Sequence, residues 1–540
     1  MEPVKNKIRR IDSARIDGTS GASVKKARWA WDLEIAAFTC GASIMVLELT
    51  GARIVAPYIG TSIIVWMSLV SVILASLSLG HWLGGNAADM RPDQRILARI
   101  VLLSSVFAAA MALLSNPILR VLSRNITSVY LSSLIASLVL FAPPSILLGM
   151  VPPFIVRMSI RDVDSSGAAI GRFSALSSAG GILGTFLGGF VLISFLSSGA
   201  ILLLVAAVLA FIALLLYRAV WKKAAVFCAV FLALACAVSI WGMPMMPPGV
   251  YIDTPYNRIW VSELTTESDR RVRFLKTGSY RDVAQAQSIM LMDNPAELVR
   301  GYTRFYDLAF HYKPDTERIL MLGGGGYSVP RHLLATRLDG GGQPTFSMDI
   351  VEIDPGITAA ARRYFHLQDS PALSIYHEDA RVFLNRSALN PGLHGPYDAI
   401  FSDIFGSWYS IPFHMTTVEA AQRMFDILAP DGVLITNVVA SLHGRQSGVL
   451  HGIYAAKSQV FPQVLIFPAQ RYEPHFAHAF AHARQNIMLV ALKSPAEPHL
   501  PPRNPETALL LSHRWTGPFI PEVRAFTDAF APVERYALRN

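Results

Sequence analysis

Seven runs of apolar residues dominate the first half of this sequence, and each is long enough to cross a lipid bilayer as a helix. They lie at about 33–55, 62–86, 96–116, 126–150, 173–195, 198–218 and 223–243. The chain has 52% hydrophobic and only 16% charged residues, and the apolar runs account for this imbalance, because the sequence after residue 243 is typical of a globular domain. The sequence therefore predicts a polytopic α-helical membrane domain of about seven helices, followed by a soluble half.

Two of the runs contain residues that affect how a helix packs. Pro143-Pro144 removes backbone donors from the middle of the fourth run and predicts an interruption there. The fifth run carries glycines that would let a second helix approach closely: Gly180, Gly181, Gly184, Gly188 and Gly189.

Basic residues predict the orientation of the membrane domain. Residues 1–30 are polar and basic, which predicts a disordered cytoplasmic tail, and arginine or lysine follows the second, fourth and sixth runs. Positive charge is enriched on the cytoplasmic side of membrane proteins, so the N-terminus is predicted to be cytoplasmic, although Arg120 and Arg124 oppose this pattern. The net charge of +9 therefore indicates how the chain is oriented in the membrane and does not indicate nucleic-acid binding.

Ionisable side chains lie at membrane depth. Glu48 and Arg53 fall within or beside the first run, and His81 falls in the second. Such groups are costly in a bilayer and are functional candidates for that reason. An internal ion pair that fixes helix packing is the alternative explanation.

The soluble half is organised around a strand, a glycine turn, a helix and a second strand. The strand Ile319–Leu322 precedes four glycines, Gly323 to Gly326, and the second strand is the run Met348–Asp354. Glycines allow the backbone to approach a ligand, and the next helix presents its N-terminal amides there. Glu352 can accept hydrogen bonds from both ribose hydroxyls, so the pattern predicts a doubly wound nucleotide-binding domain.

Two more strands place carboxylates at the same edge of the predicted sheet. Leu373–Tyr376 leads to Asp379, and Tyr397–Ser402 leads to Asp403. Ligands of open α/β sheets bind at the carboxyl ends of the strands, so both acids are site candidates. Asp379 is equally suited to be a helix N-cap, and both roles can hold together. A turn at 429–432 and the strand Val433–Asn437 complete the predicted pattern.

These features divide the chain into five parts. Short β-like runs, Tyr251–Thr254, Arg258–Glu263 and Arg271–Leu275, predict a small sheet in front of the nucleotide domain. The predicted parts are a basic tail (1–30), the transmembrane domain (31–243), a linker with the small β domain (244–315), the nucleotide-binding catalytic domain (316–500) and a C-terminal extension (501–540).

Several short segments of the membrane half form a recognisable set. They are Leu47-Glu48, Arg53–Ser62, Leu77–Gly80, Leu83–Gly85, Leu148–Pro153, Gly171-Arg172 and Gly184-Thr185. Together they resemble the membrane half of bacterial membrane-fused spermidine-synthase-like proteins. The resemblance implies an integral protein of the bacterial inner (plasma) membrane, and it assigns no role to the membrane half.

The soluble half carries matching motifs in order. The segment Asp253–Ile259 resembles the opening of the aminopropyltransferases of the spermidine synthase family, and Ile404–Thr417 resembles their catalytic loop. The resemblance implies a Rossmann-like fold of the class I S-adenosylmethionine (SAM)-dependent methyltransferase type with a small N-terminal β-sheet. It implies Asp403 as general base assisted by Tyr302. It also implies cofactor contacts from Gly323, Gly324, Gly325, Glu352, Asp379, Ala380 and Gln287, and substrate contacts from Tyr256, Gln285, Asp293, Trp408 and Tyr409.

Two departures from the family pattern concern the amine site. The family places an aspartate after the three glycines, against the amine of decarboxylated SAM, and this position is Gly326 here. A second family aspartate, against the acceptor polyamine, is replaced by Gly406. An unpaired buried ammonium is costly, so a dicationic acceptor would normally need both acids. Their absence predicts an altered amine site beside an intact nucleotide site. Trp408 and Tyr409 could hold a cation by their ring faces instead, and a hydrophobic plug is the equal alternative for this pair.

The first functional hypothesis is a membrane-bound transferase that uses SAM or decarboxylated SAM, releases methylthioadenosine and passes an aminopropyl-type group to an amine. The second is a lyase or cyclase that cleaves SAM without an acceptor, and the third is a nucleoside-binding transporter or sensor. A methyltransferase is less favoured. No metal is expected, because the cluster of His475, His478 and His482 lacks carboxylate partners. The predicted partners are membrane lipid and a small amine or none, and the resemblance implies a homodimer.

The hypotheses conflict with the predicted topology. Seven crossings from a cytoplasmic N-terminus would put residues 244–540 outside the cytoplasm, whereas SAM is made in the cytosol. Either one apolar run is re-entrant or the nucleotide crosses the membrane.

Overall fold

A computed structural model describes residues 20–538 with several gaps. The gaps are 61, 127, 161–165, 218–248 (except 229 and 233), 267–268, 278–285, 391, 405–410, 471–481 and 499.

Six helices of the described residues are long and apolar enough to cross a membrane. The predicted seventh run, 223–243, lies outside the described residues. The six helices are α1 (Ser20–Ile59), α2 (Ile63–Met90), α3 (Gln94–Asn125), α4 (Val129–Ser159), α5 (Ser166–Phe186, continued by a π-helix at Leu187–Leu192 and by Ile193–Phe195) and α6 (Ser198–Leu216).

Helix α4 is continuous, so the predicted interruption at Pro143-Pro144 is wrong. Its helical hydrogen bonding runs from Val129 to Ser159 although the helix contains four prolines. A helix that opened in a bilayer would find no water for its backbone, and packing against neighbouring helices supports it instead. Helix α2 lies close against it, since a Cβ on Gly80 would overlap the Ile146 carbonyl oxygen.

The glycine face of α5 packs against α1. A Cβ on Gly180 would overlap the Phe38 carbonyl oxygen, and one on Gly184 would overlap that of Ala42. The predicted close approach is therefore confirmed at these two positions, whereas Gly189 faces open space. The contacts advance in the same direction along both helices, so α1 and α5 run parallel.

A four-stranded antiparallel sheet precedes the nucleotide domain. The three predicted strands are present, and a fourth follows them. The strands are β1 (Val250–Asp253), β2 (Arg258–Thr265), β3 (Arg271–Thr277) and β4 (Ser288–Leu291).

The second sheet has seven strands in the order β10-β11-β9-β8-β5-β6-β7. The strands from β9 to β7 in this order run parallel, and β11 pairs antiparallel with both β9 and β10. They are β5 (Arg318–Leu322), β6 (Ser347–Val351), β7 (Leu373–Tyr376), β8 (Tyr397–Ser402), β9 (Leu428–Ala440), β10 (Gln463–Pro468) and β11 (Gln485–Leu492). The order reverses between β5 and β8, which opens a crevice at their carboxyl ends.

Helices cover both faces of this sheet, and buried apolar clusters lie on each side of it. The α-helices in the described part of the soluble half are Leu308–Tyr312, Ser328–Thr336, Pro355–Tyr364, Ala380–Leu389, Val418–Ile427, Gly448–Ser458, Pro505–Ser512 and Val533–Ala537. The predicted turn at 429–432 is instead an irregularity within β9, because Leu428 pairs with Tyr397 and Val433 pairs with Ala399.

Two hydrogen bonds attach the soluble half to one face of the helix bundle. Arg53, near the end of α1, donates through Nη2 to the carbonyl oxygen of Thr254. The backbone amide of Ile63, at the start of α2, donates to Glu534 Oε2 at 2.8 Å. We call this side of the bundle the docking face.

The last described membrane helix leads away from the docking face. Arg53 Nη1 also donates to the carbonyl oxygen of Ile193 at 3.1 Å, so the end of α5 lies at the docking face. Helix α6 starts directly afterwards and ends at Leu216. A helix of 19 residues spans roughly 28 Å, so its end lies on the opposite side of the bundle.

Candidate active site

The glycine turn and the catalytic-loop aspartate meet at the reversal point of the sheet. Gly323 follows β5 with φ of +90°, and a Cβ there would overlap the carbonyl oxygen of Asp403. The amide of Asp403 donates to the carbonyl oxygen of Leu322 at 2.9 Å. Only glycine allows this approach, so the turn after β5 and the end of β8 form one site.

Glu352 follows β6 and is buried against the glycine turn. Its Oε2 accepts hydrogen bonds from the amides of Gly324 and Gly325 at 2.9 and 3.2 Å, and its Oε1 accepts one from Asp354 at 3.0 Å. Burial raises the pKa of Glu352, and the three amide bonds oppose that shift. The carboxylate thus holds the turn in shape and faces the crevice.

Asp403 is held by donors on both carboxylate oxygens. Tyr302 donates its hydroxyl to Oδ2 at 3.0 Å, and Asn437 donates through Nδ2 to Oδ1 at 2.9 Å. Asn486 in turn donates to Asn437 Oδ1 at 2.9 Å and fixes its orientation. Desolvation raises the pKa of Asp403, and the bonds from Asn437 and Tyr302 and the charge of Arg300 oppose the rise. This arrangement suits a general base whose lone pair is aimed by its neighbours.

We expect the Asn437 bond to set the acid limb of activity. Because Asn437 stabilises the charged form of Asp403, N437L should raise the pKa of Asp403 further, and activity should be lost at a higher pH. One hydrogen bond to a charged group corresponds to about 1–2 pH units. The measurement is the pH profile of kcat, with N390A on an exposed helix end as the control. An unchanged acid limb would show that Asp403 is not the titrating base.

The described residues enclose a cavity of about 730 Å³ beside the glycine turn. Nine predicted site residues line it: Gln287, Tyr302, Gly323, Gly324, Gly325, Glu352, Asp379, Ala380 and Asp403. Their individual roles stay predictions. The Gln287 amide bonds both the N–H and the carbonyl of Thr277, so it holds the cavity wall in addition to any ligand contact.

Other predicted substrate residues lie elsewhere. Asp293 is not part of the described cavity wall, because it is exposed and paired with Arg270 at 3.2 Å. Tyr256 is also outside the wall, since its side chain is 51% exposed in the loop before β2. Gln285, Trp408, Tyr409, Gly406, His475 and His478 lie outside the described residues.

Asp379 is the N-cap of the helix Ala380–Leu389. Its Oδ1 accepts hydrogen bonds from the amides of Arg381 and Val382, and its Oδ2 lies 3.4 Å from His414 Nε2. The N-cap role of Asp379 is therefore confirmed. The contact with an adenine amino group stays a prediction, and Oδ2 is the oxygen that would make it, because Oδ1 caps the helix.

Two substitutions should separate the roles of Asp379. Asparagine also caps helices well, so D379N should leave the melting temperature nearly unchanged, whereas D379A should destabilise the domain by about 0.5–2 kcal/mol. If Asp379 also binds the nucleotide, D379N should weaken methylthioadenosine binding by about tenfold, which calorimetry would measure. If D379N and wild type bound the nucleotide equally well, helix capping would be the remaining role of Asp379.

Several site residues were not found from the sequence. Asn437 lies in β9 and reaches Asp403 only because β9 pairs with β8. Ser288 accepts the Gly326 amide at 2.7 Å across a boundary between two sheets. Arg300 lines the cavity two residues before Tyr302. Periodicity could not identify these residues, since each acts through a long-range contact.

A chain of hydrogen bonds connects the membrane half to the nucleotide turn. Thr254, whose carbonyl oxygen binds Arg53, donates its hydroxyl to Asp354 Oδ2 at 2.6 Å. Asp354 is fully buried, and its amide donates to Glu352, which binds the glycine turn. Arg53 therefore makes a contact that can position the nucleotide turn. This role is a third explanation for Arg53, beside a functional group at membrane depth and an internal ion pair that fixes helix packing.

We expect R53M to weaken nucleotide binding. Loss of one or two hydrogen bonds at Thr254 and Ile193 should raise the dissociation constant of methylthioadenosine by about 2- to 10-fold, with a smaller effect on kcat. R157Q, which breaks an exposed ion pair with Asp89, is the control. If the effect passes through Thr254, R53M and T254V should be non-additive. Additive effects would contradict this route.

The strand order, the reversal between β5 and β8 and the glycine turn followed by an acid define the class of the soluble half. It is a Rossmann-like domain of the class I SAM-dependent methyltransferase type. No family model matches the chain. Among curated proteins, part of the chain is similar to polyamine aminopropyltransferases.

The chain is 35% identical to the polyamine aminopropyltransferase of Vibrio vulnificus over 156 residues, which are 28% of this chain and 48% of that protein. It is 27% identical to the human eEF1A lysine and N-terminal methyltransferase over 151 residues, 26% of this chain and 21% of that one. The chain spans about half the length of the first relative. Among solved structures, a probable spermidine synthase of Corynebacterium glutamicum is 18% identical, with a TM-score of 0.39, over 53% of this chain and 99% of that one.

Proposed function

We propose that the protein is a membrane-bound transferase that takes a SAM-type sulfonium nucleoside, releases methylthioadenosine and passes an aminopropyl-type group to an amine. The observation that carries the proposal is Asp403. Its carboxylate is held by Tyr302 and Asn437 directly beside the glycine turn, in a cavity of about 730 Å³. The sequence relative named polyamine aminopropyltransferase supports the same reaction class.

The site supplies what this reaction requires. An amine attacks the carbon next to the sulfonium, and it must first lose a proton at neutral pH. Asp403 takes that proton, while Tyr302 and Asn437 hold its oxygens toward the crevice. The sulfonium is already an activated leaving group, so positioning provides most of the acceleration. Glu352, at the glycine turn, would hold the ribose hydroxyls.

The first test is mass spectrometry on the detergent-purified protein with SAM or decarboxylated SAM, each with and without putrescine. Methylthioadenosine that appears only when an amine is present supports the transferase. Its release from SAM alone would replace transfer by internal cleavage. Nucleoside binding without any methylthioadenosine would leave a transporter or sensor.

The proposed catalytic half and the start of α1 lie on opposite sides of the helix bundle. The soluble half contacts the docking face through Arg53 and Ile63, whereas α1 starts and α6 ends on the other side. With the predicted cytoplasmic N-terminus, this arrangement supports a catalytic half on the non-cytoplasmic side and favours a nucleotide that crosses the membrane.

Reporter fusions test this topology. Alkaline phosphatase, which is active only outside the cytoplasm, should be active on the C-terminus, and a cytoplasmic fluorescent protein should be bright on the N-terminus. Both termini reporting the same side would overturn the assignment. Crosslinking in membranes would test the proposed homodimer.

A further inference from the structure

The fourth glycine of the turn has no room for an acidic side chain. The amide of Gly326 donates to Ser288 Oγ at 2.7 Å, and a Cβ on Gly326 would come within 2.5 Å of Ser288 Cβ. The aspartate that aminopropyltransferases carry here would therefore displace β4. Ser288, whose hydroxyl has no charge, lines the cavity at this point instead.

A cation lies on the same wall of the cavity. Arg300 donates through Nη2 to the carbonyl oxygen of Ala286, two residues before Ser288. The positive charge of Arg300 acts to lower the pKa of both Asp403 and Tyr302, so its field reaches the reaction centre. Ser288 and Arg300 both line the cavity, so this part of the wall presents a neutral hydroxyl and a positively charged guanidinium.

We propose that the donor keeps its carboxylate, so that it is SAM and not decarboxylated SAM, and that Arg300 selects it. This inference rests on the proposed transfer reaction. The acceptor nitrogen forms a bond to the carbon attached to the sulfonium, the carbon–sulfur bond breaks, and its electron pair goes to sulfur to give neutral methylthioadenosine. The nitrogen's proton goes to Asp403, and the group transferred is 3-amino-3-carboxypropyl.

The charges of the two donors explain the selectivity. The tail of decarboxylated SAM carries an ammonium without a carboxylate, and the positive charge of Arg300 would repel this ammonium. SAM adds a carboxylate to the same tail. A guanidinium binds a carboxylate through charge-assisted hydrogen bonds that are stronger than neutral ones.

The test compares kcat/KM for SAM and decarboxylated SAM with the same amine. Wild type should prefer SAM by about 10- to 100-fold, and the product should retain the carboxylate by mass. R300Q should remove most of this preference by lowering the value for SAM. Arg304 lies in the 3₁₀ helix Gly301–Asp307 that directly follows Arg300, and its half-exposed side chain is paired with Glu506, so R304Q should keep the preference.

Methylthioadenosine binding controls for misfolding, because this product lacks the amino-acid tail and R300Q should bind it like wild type. Turnover of decarboxylated SAM in preference to SAM would overturn this inference and leave the transferase standing. Equal losses for both donors in R300Q would also overturn it. If neither donor gave methylthioadenosine, the proposed function itself would be overturned. Release of methylthioadenosine from SAM without an amine would support SAM as the donor and would contradict only the transfer to an acceptor amine.

Discussion

D403N should lower methylthioadenosine formation by about 100- to 10,000-fold while nucleotide binding is retained. Asparagine has the size of aspartate but cannot take a proton from an attacking amine, and general-base catalysis contributes about this much. Asp403 follows β8 and its backbone packs against Gly323, so the substitution leaves the turn in place. The measurement is kcat under saturating donor and amine, together with the dissociation constant of methylthioadenosine.

Stability separates a catalytic defect from misfolding in D403N. Desolvation raises the pKa of Asp403 above 3.8, so the folded state binds a proton more tightly than the unfolded chain. The free energy of unfolding therefore falls as the pH rises from the pKa of Asp403 in the unfolded chain through its higher pKa in the folded protein. Above the folded-state pKa, the charged carboxylate destabilises the fold. D403N should melt no lower than wild type at pH 7. Wild-type kcat in D403N would exclude Asp403 as the base.

E352Q should weaken nucleotide binding by about 10- to 100-fold. Glu352 is expected to accept both ribose hydroxyls, and hydrogen bonds to a charged acceptor are worth more than neutral ones. The amide would also present an N–H₂ group to Gly324 and Gly325, whose own amides now donate to the carboxylate. Calorimetry with methylthioadenosine measures the loss.

A matched variant shows whether the loss belongs to the site. E263Q removes a carboxylate from the front sheet, where Glu263 binds Arg271 and Arg273. It should leave the dissociation constant unchanged. If E352Q binds methylthioadenosine as tightly as wild type, Glu352 supports only the glycine turn, and the ribose would need another acceptor.

The sequence identified features that depend on local pattern. Apolar length predicted the six described helices that are long and apolar enough to cross a membrane, because a bilayer requires about 20 apolar residues in any such helix. Short apolar runs and glycine predicted β5, the turn and β8, so Gly323 and Asp403 were found before their contact was seen. Proline was misleading at 143–144, because its local cost is outweighed in a packed membrane helix.

The sequence alone determined the two-part architecture, the nucleotide turn and the candidate base, since each of these is encoded within a few consecutive residues. Only the tertiary structure decided that Asn437 holds Asp403, that Ser288 fills the space at Gly326 and that Arg53 binds Thr254. These contacts join residues 34, 38 and 201 positions apart. They follow from strand order and helix packing, and a local hydrophobic pattern contains no information about which distant side chains will meet.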